Sequence, residues 1–457
     1  MTTKYRPDIR GRLGGLTVEK VAMALVVVFL LSLCLYVTIG VIGYDDDTRR
    51  IMTTTYKERI EETREEDPKP ITPGVEERFK RTVRDYVLTM LFLVGFFLAL
   101  SVWNIRTEAN LQAPICAVTL IIAVGCSHKV LYAGFYGLRG EAGFIAIGCL
   151  VMVAAFLVWY GLKLRLNWFM YTLAVAVVVI LLVLNVKAIQ EGKTVNGEAN
   201  WIKFLGVRIQ ASEFIKAGLI LIGACSSEGK LRKYIYSLLA VASCMVVALA
   251  GDIGGAVVMA CLFFIMVALL FDEEWLSFAL AVGFALAFVV VWRFSATAQD
   301  RMAAWGKVFS DSDYIQQQNI LVALAKGGWQ GLGLDKARSF FGIVFVGADG
   351  AVAGVQAIYG LGMLLVLFGS FAALILRFAI SKCVNKSSRI LLIQVAVLFT
   401  AQLLLNYLGS TDVLPFTGIC APFVSTGGSS MVATCGLCGC AGAALYSRVD
   451  TKKVRLE

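Results

Sequence analysis

The feature that most limits what this chain can fold into is its series of separate apolar runs, each of about 18 residues or more. A run of that length crosses the hydrocarbon core of a bilayer as one helix. The chain is 58% hydrophobic and 16% charged, with a mean hydropathy of +0.77, whereas soluble domains have about 25% charged residues. Because strands of alternating polarity are missing from the sequence, we predict an all-α polytopic membrane protein and not a β-barrel.

We predict about twelve transmembrane helices. The predicted spans are residues 21–43, 86–103, 113–133, 142–162, 168–186, 211–226, 234–250, 253–271, 275–293, 354–380, 389–408 and 427–447. The formal net charge of +10 comes from short basic clusters between the runs. This distribution follows the positive-inside rule and does not indicate nucleic-acid binding. Both termini are therefore predicted to lie in the cytoplasm.

The polar segments divide the chain into regions. The predicted order is a basic cytoplasmic N-terminus at 1–20, a first transmembrane helix at 21–43, a charged extracytoplasmic arm at 44–85, N-terminal transmembrane helices at 86–186, a membrane core at 187–447 and a cytoplasmic tail at 448–457. We expect the arm to be an exposed helix or partly ordered, with partner binding as the alternative. Within the core, the polar loop 295–353 is far longer than a connection needs, and we expect it to carry function.

Twelve cysteines could indicate disulfides or metal, but eleven of them lie inside apolar runs. Small, reduced cysteines that pack between helices explain this pattern better. Cys435, Cys438 and Cys440 have metal-like spacing, yet they alternate with glycines inside a predicted span, which favours helix-interface packing. His128 is the single histidine and cannot form a histidine-based metal site alone. We therefore leave metal binding by these residues unassigned.

Ionisable residues at membrane depth are candidates for function. Glu213 and Lys216 are three residues apart, so they share a helical face and form either a local ion pair or part of a site facing a cavity. Asp252 lies between two apolar runs, and Asp349 lies just before the tenth predicted span. Capping of the following helix is the alternative role for each of these aspartates.

The last predicted outer loop, 406–430, is rich in proline, glycine and hydroxyl residues. Pro415 and Pro422 fix backbone turns, and the run Gly427 to Ser430 opens the final helix. Such a segment is suited to re-enter the membrane where it lines a cavity. The glycines and hydroxyls at a helix N-terminus are also suited to hold an anion.

The segment LPFTGICAPFVSTGGSS resembles the signature of the SEDS proteins (shape, elongation, division and sporulation), the RodA/FtsW/SpoVE family. Other segments resemble the family in the same order. These are ANWIKFLGVRIQASEFIK, GDIGGA, QDRMAAW, IQQQNILVALAKGGWQGLGL and ADGAVAGVQAIYGLG. The resemblance implies a core of ten transmembrane helices, to which this chain adds two, in the bacterial cytoplasmic membrane.

The resemblance also implies peptidoglycan glycosyltransfer, in which lipid II is polymerised at the outer face beside a class B penicillin-binding protein. It implies that Asp349 is the catalytic base, its pKa raised by partial burial. The implied substrate-binding residues are Glu213, Lys216, Arg301, Gln316, Ser429 and Ser430. Residues matched to the structural motifs are Trp201, Gln210, Ser212, Asp252, Asn406, Pro415, Thr417, Gly418, Pro422, Ser425, Gly427 and Gly428. Negative charge on the departing diphosphate requires cations nearby, either Lys216 and Arg301 or a divalent ion such as Mg²⁺ or Mn²⁺. Lipid tails are expected in an apolar groove between the spans.

The chain departs from the family pattern at several positions, so we interpret it as a divergent member. Ala348 replaces the usual threonine before the aspartate, and Gln356, Ala357 and Ile358 replace Gly-Glu-Glu. Ala211 and Gly251 each replace a proline. The missing glutamates leave open a non-catalytic scaffold that activates a penicillin-binding protein, and a flippase for a polyprenyl-linked precursor is a further alternative.

Overall fold

The computed structural model describes residues 18–44, 73–107, 109–132, 138–163, 167–192, 198–204, 207–227, 229–270, 315–336, 347–381 and 385–454. It also describes isolated residues at 49 and 383 and, between 282 and 305, at 282–283, 285–286, 289, 293, 299, 301–303 and 305. Most of the predicted arm at 44–85, of the span at 275–293 and of the N-terminal segment at 1–20 lies outside the described residues. Of the loop at 295–353, residues 295–298, 300, 304, 306–314 and 337–346 lie outside them.

The described part of the chain is a helical bundle with one small hairpin. Its helices are α1 (Val18–Ile42), α2 (Pro73–Thr107), α3 (Gln112–Lys129), α4 (Leu138–Lys163), α5 (Asn167–Gln190), α6 (Ala211–Cys225), α7 (Lys230–Leu249), α8 (Ile253–Leu270), α9 (Ile315–Gly327), α10 (Gly333–Lys336), α11 (Ala351–Ile380), α12 (Lys386–Ser410) and α13 (Gly428–Val454). A 3₁₀ turn, Val130–Tyr132, follows α3. The two strands are β1 (Trp201–Phe204) and β2 (Val207–Gln210).

The prediction of an all-α polytopic membrane protein is confirmed. Among the described helices, nine are long and apolar enough to cross a membrane, and α8 is a shorter apolar helix. Eleven of the predicted spans coincide with helices of the bundle, including the short α6. The helices form because an apolar run in lipid must satisfy its own backbone hydrogen bonds.

Helix α1 shows how these elements pack. Its buried residues recur at helical spacing along one face, and the list is Val26, Leu30, Leu33, Val37 and Val41. The other faces keep large apolar side chains exposed, as lipid-facing positions do. The buried face contacts α2 and α3. Helices α1 and α2 therefore pack against each other and against α3.

Helices α4 and α13 make the most extensive contact in the bundle, and glycine allows it. A side chain at Gly439 would collide with the backbone carbonyl of Met152, and one at Gly148 would lie 2.9 Å from the sulfur of Cys435. Small residues at such positions let two membrane helices approach closely. Cys435, Cys438 and Cys440 are buried in α13, and Cys435 packs against Gly148 of α4, as the packing interpretation predicted.

Strands β1 and β2 form an antiparallel hairpin in which Trp201 pairs with Gln210 and Lys203 with Arg208. No strands were predicted at these residues. It leads directly into α6, because the backbone amide of Ala211 donates to the carbonyl of Asn200 at 2.9 Å. The hairpin thereby places the segment before Trp201 beside the first turn of α6.

Helix α11 is bent at Gly360, whose φ of 80° and ψ of −178° are not helical. The bend receives the turn that joins α9 to α10. The amide of Leu361 donates to Trp329 O at 2.9 Å, and the amide of Leu332 donates to Ala357 O at 2.9 Å. Gly360 and Gly331 lie so close that a Cβ on either would overlap the other segment's backbone. Two glycines are required here for the loop to dock on the helix.

Several helix ends meet at one end of the bundle, which we call the site end. Helices α6, α8, α11 and α13 begin there, and α12 ends there. The tyrosine hydroxyl at the end of α1, Tyr44, donates to Leu334 O at 3.1 Å and ties α1 to the same end. The residues that the sequence identifies as candidates lie mostly at these helix starts.

Candidate active site

The segment 411–430, which we call the signature segment, runs from the end of α12 into the first turn of α13 and lines the site. Residues 421–426 are buried, as expected for a chain that re-enters the protein. Its backbone groups are paired: Ala421 N donates to Ser425 Oγ at 2.8 Å, and Thr426 N donates to Gly347 O at 2.8 Å. Ser425 Oγ in turn donates to Ala348 O. The segment is thus fixed to the turn that carries Asp349.

Asn406, in the last turns of α12, links three parts of the site end. Its Nδ2 donates to Asp349 O at 2.8 Å and to Ile419 O at 2.7 Å, and its Oδ1 accepts from Val352 N at 3.2 Å. Ser410 Oγ also donates to Asp349 O, at 3.2 Å. Asn406 is buried, and its hydrogen bonds satisfy backbone groups that water does not reach. The backbone of Asp349 is therefore held while its side chain is left for other contacts.

The side chain of Asp349 does not cap α11. The N-cap position belongs to Gly350 and has no side-chain hydrogen bond. Instead, Asp349 Oδ2 lies 3.5 Å and Arg301 Nη2 lies 3.9 Å from the place that a Cβ on Gly418 would occupy. Gly418 has a φ of 66°, which any other residue rarely adopts. The capping alternative for Asp349 is wrong, and the carboxyl faces a space that only glycine leaves open.

Arg301 is the cation of this space. Its Nη1 donates to Thr417 O at 2.7 Å, and its Nη2 lies 3.9 Å from Glu198 Oε1. The Arg301 side chain is 25% exposed and that of Glu198 is 20% exposed, so both are screened from bulk water. One guanidinium therefore lies among two carboxyl groups, Glu198 and Asp349, on the backbone of Thr417 and Gly418.

The surroundings of Asp349 change its ionisation. Removal from water raises the pKa of Asp349 to about 7; Arg301 opposes this rise, and the negative charge of Asp252 adds to it. A carboxyl group with a pKa near neutrality is half ionised at physiological pH and can accept a proton in a reaction. The predicted rise in the pKa of Asp349 agrees with this environment.

Glu213 and Lys216 form a buried ion pair on the first turns of α6. Lys216 Nζ lies 2.6 Å from Glu213 Oε1, and the two side chains are 3% and 6% exposed. A pair this deep differs from the solvent-exposed pair that was the alternative, because each charge depends on the other for solvation.

Asp252 has a structural environment. Its Oδ1 accepts from Gly255 N at 2.7 Å and so caps α8, as the capping alternative predicted. Its Oδ2 accepts from Asn200 Nδ2 at 2.8 Å and from Ser212 Oγ at 2.7 Å. Ser212 N also donates to Asn200 Oδ1 at 3.0 Å. This hydrogen-bond network holds the β-hairpin, α6 and α8 together at the site end.

The N-terminus of α13 closes the site on the other side. Ser429 Oγ accepts from Gln210 N at 3.0 Å, which ties the start of α13 to the hairpin. Phe144 packs on Gly428, where any side chain would overlap its ring. Three hydroxyls in the signature segment are buried and have no hydrogen-bond partner among the described residues. They belong to Thr417, Thr426 and Ser430.

The two groups of charges meet around Cys420. Burial raises the pKa of this thiol well above its usual value, Asp349, Glu213 and Asp252 raise it further, and Lys216 lowers it. The first turns of α6, which carry Glu213 and Lys216, and the turn that carries Asp349 both lie at the site end. The side chain of Gln316, in the first turn of α9, lies outside the described part of the structure.

The remaining motif residues support this arrangement and do not carry charge. Pro415 lies against the backbone of Gly409, and Pro422 is buried in the turn that precedes Ser425. Gly427 adopts a φ of 155° just before α13. Trp201 begins β1, which positions Asn200 and Glu198.

Sequence reasoning missed three residues that the fold brings to the site end: Glu198, Asn200 and Ser410. The signal for the first two was their place in GEANW, directly before the motif residue Trp201. Their importance depends on long-range contacts with Arg301 and Asp252, which no local pattern contains.

Known proteins resemble this chain in both sequence and fold. The family model of the FtsW, RodA and SpoVE cell cycle proteins matches residues 102–448. A probable peptidoglycan glycosyltransferase FtsW of Geobacter metallireducens is 27% identical over 344 residues, covering 67% of this chain and 84% of that protein. The protein of the same description from Bacillus subtilis is 26% identical over 291 residues, covering 58% of this chain and 72% of that protein.

Two solved structures share the fold. A chain from a peptidoglycan synthase complex, solved to describe the coordination of polymerization and crosslinking, has a TM-score of 0.57 at 21% identity and covers 73% of this chain and 97% of that one. A variant of the Thermus thermophilus rod shape determining protein RodA has a TM-score of 0.51 at 23% identity, covering 73% of this chain and 96% of that one. Helix α1 and nearly all of α2 precede the residues matched by the family model. Since that model spans more than half of the chain, the protein belongs to the FtsW, RodA and SpoVE family of cell cycle proteins.

Proposed function

We propose that this protein is a peptidoglycan glycosyltransferase that polymerises lipid II for cell-wall synthesis. The observation that carries the proposal is the placement of Asp349, whose carboxyl faces Arg301 across the open position at Gly418. Family membership and the names of the curated relatives support the same activity. The proposed reaction needs a base beside a site for an anionic leaving group, and this end of the bundle offers both.

In the proposed mechanism, Asp349 acts as general base. Its carboxylate accepts the proton of the acceptor sugar hydroxyl as that oxygen forms a bond to the anomeric carbon of the donor. The bond from this carbon to the diphosphate oxygen breaks, and polyprenyl diphosphate leaves as the anion. With a pKa of about 7, Asp349 is basic enough to assist and is still ionised in a large fraction of molecules near neutral pH.

Negative charge that develops on the diphosphate requires donors that are already in place. Arg301 is held by Thr417 O and keeps its second nitrogen toward the site. Lys216 supplies a second cation, and the N-terminus of α13 with Ser429 and Ser430 supplies partial positive charge and hydroxyls. These residues are the proposed diphosphate-binding groups.

A divalent cation such as Mg²⁺ or Mn²⁺ would add Lewis acidity at the diphosphate. Among the described residues, no group of three or more His, Cys, Asp or Glu side chains is disposed to hold a metal ion. We therefore derive no step through a metal. Polymerisation measured with and without a chelator tests the requirement.

We also propose the orientation and the partner. The cations at the end opposite the site include Arg106, Lys230, Arg232, Lys233, Lys386 and Arg389. By the positive-inside rule this end is cytoplasmic, so that both termini are cytoplasmic and the site end faces outward, where lipid II is polymerised. A class B penicillin-binding protein is the proposed partner, in keeping with the synthase complex that shares the fold.

The proposal is tested with the purified full-length chain in liposomes that contain labelled lipid II. We expect glycan strands to form, alone or after addition of a class B penicillin-binding protein, and to be visible as a ladder on a gel. If no strand forms under either condition in correctly folded protein, the scaffold alternative is favoured. Translocation of lipid II without polymerisation would favour the flippase alternative instead.

A further inference from the structure

Glu198 is a carboxyl group at the site end that the mechanism above does not use. It precedes the hairpin, within the segment that the network of Asn200, Ser212 and Asp252 fixes in place. Its Oε1 lies 3.9 Å from Arg301 Nη2, and its side chain is 20% exposed. The same guanidinium nitrogen and the carboxyl of Asp349 both border the space at Gly418, 3.9 Å and 3.5 Å from the position that a Cβ would take there. Glu198 therefore shares its only described cationic neighbour with the proposed base.

The charged groups around Arg301 bear on whether Asp349 and Glu198 can both be ionised. The charges of Glu213 and Lys216 cancel within their own pair. Asp252 accepts hydrogen bonds from Asn200, Ser212 and Gly255, so its oxygens are already engaged in the network that caps α8. Arg301 is the single remaining cation near Asp349 and Glu198 among the described residues. If both of these carboxyl groups were ionised, their negative charges would outnumber the one cation and would repel a diphosphate.

We propose that Glu198 works in its protonated form and donates a hydrogen bond from its carboxyl group to the diphosphate of the polyprenyl-linked donor. This inference rests on the proposed function and names a further residue that contacts the leaving group. In this arrangement Asp349 is the ionised carboxyl and accepts a proton, whereas Glu198 is the neutral carboxyl and donates a hydrogen bond. Arg301 lies between them and serves both.

The ionisation of the two groups supports this division. The pKa of Glu198 is raised to about 8: removal from water and the negative charges of Asp252 and Asp349 raise it, and Arg301 opposes the rise. The pKa of Asp349 is raised to about 7. Because the negative charge of Asp349 raises the pKa of Glu198, Glu198 holds its proton more firmly when Asp349 is ionised. Two carboxyl groups whose pKa values are separated by their environment are the pattern expected of an acceptor and donor pair.

The chain offers matched variants for a test. Glu198→Gln keeps the size and a hydrogen-bond donor but cannot ionise, and Glu198→Ala removes the donor. Glu191→Gln is the control, because Glu191 lies at the end of α5, pairs with Lys187 at 3.8 Å and is not part of the site. The variants are compared at the same pH, so the ionisation of the diphosphate ligand affects all of them equally.

The experiment measures binding of farnesyl diphosphate to the full-length protein in nanodiscs from about pH 6.5 to about pH 9.5. We expect wild type and Glu191→Gln to lose affinity above about pH 8, by about tenfold at the upper end relative to Glu198→Gln. Glu198→Gln should bind within about twofold of wild type at pH 7, and Glu198→Ala about tenfold more weakly. Parallel pH profiles for wild type and Glu198→Gln would overturn the proposal, as would unchanged binding by Glu198→Ala.

A second measurement uses unaltered protein and so does not depend on the folding of variants. Infrared difference spectra at pH 7 should show that farnesyl diphosphate shifts the band of a protonated carboxyl group, and that the shift is lost at about pH 9.5. No shift at pH 7 would contradict the proposal. Because both measurements report binding, they can succeed or fail independently of lipid II polymerisation.

Discussion

The side-chain amide of Asn406 donates to the backbone carbonyl of Asp349 at 2.8 Å and to that of Ile419 at 2.7 Å, which joins the proposed base to the signature segment through one buried residue. The turn that carries the carboxyl and the segment that receives the substrate thus keep a fixed distance. Precise placement of a base is worth several orders of magnitude in rate, so this connection is important for both stability and activity.

Asn406→Leu should destabilise the protein and abolish polymerisation. The substitution leaves the carbonyl of Ile419 and the amide of Val352 without their partner, at a cost of about 1–3 kcal/mol for each buried group, and leaves the carbonyl of Asp349 with Ser410 alone. The matched control is Gln402→Leu, one turn earlier on α12, because the buried amide of Gln402 has no hydrogen-bond partner among the described residues. The thermal midpoint in detergent should fall for Asn406→Leu and stay or rise for Gln402→Leu; equal falls would refute the assignment.

The buried pair of Glu213 and Lys216 allows stability and activity to be separated. Lys216→Met alone should destabilise the protein by about 3–5 kcal/mol, because it leaves the carboxylate of Glu213 buried without a partner. Adding Glu213→Gln should restore the thermal midpoint. Polymerisation should remain lost in the double variant, since a cation for the diphosphate is still missing.

The other buried pair, Lys129 and Glu141, provides the control for this experiment. Its nitrogen and oxygen are 3.2 Å apart, and its side chains are 1% and 9% exposed, on α3 and α4. Lys129→Met with Glu141→Gln should also recover stability but should keep polymerisation. Activity in the Glu213→Gln, Lys216→Met protein would show that the pair is only structural.

The docking of the α9–α10 turn on α11 depends on Gly360. Gly360→Ala places a Cβ 2.5 Å from the backbone of Gln330 and 2.7 Å from that of Trp329, which overlaps both, and it forces alanine into a conformation that costs about 1–3 kcal/mol. Gly362→Ala is the control, since a Cβ there meets nothing within 4 Å. Chymotrypsin should cleave after the exposed Trp329 faster in Gly360→Ala and at the wild-type rate in Gly362→Ala. Unchanged cleavage in both would contradict the docking.

The rate of polymerisation should rise with pH through the pKa of Asp349, which is about 7. Below this value the carboxyl is protonated and cannot act as a base, so the rate should fall about tenfold for each further pH unit. Arg301 lowers the pKa of Asp349, and its removal must therefore raise it. In Arg301→Gln the acidic limb of the pH–rate profile should move to higher pH. Arg208→Gln, at an exposed position in β2, should leave that limb unchanged. A limb that moves to lower pH would exclude Arg301 as the neighbour of the base.

Much of the fold could be predicted from the sequence, because an apolar run in lipid has few alternatives to a helix. The candidate residues also came from the sequence, since the motifs keep their order along the chain. The local residue pattern could not distinguish Asp252 from Asp349, as both precede helices, and only the family resemblance gave Asp349 the catalytic role. The structure separates them by their neighbours: Asp252 caps α8, whereas Asp349 faces Arg301. The hairpin, the bend at Gly360 and the contact of Glu198 with Arg301 depend on residues distant in the chain, which explains why local patterns did not indicate them.

The most direct test of the account is lipid II polymerisation by the Asp349→Asn variant in liposomes. Asparagine keeps the shape of the side chain and removes its basicity, so the account predicts that no glycan strands form while the thermal midpoint and farnesyl diphosphate binding persist. Asp85→Asn, on α2 beside Arg84, is the control and should polymerise at the wild-type rate. Glycan strands made by Asp349→Asn at the wild-type rate would contradict the assignment of Asp349 as the catalytic base.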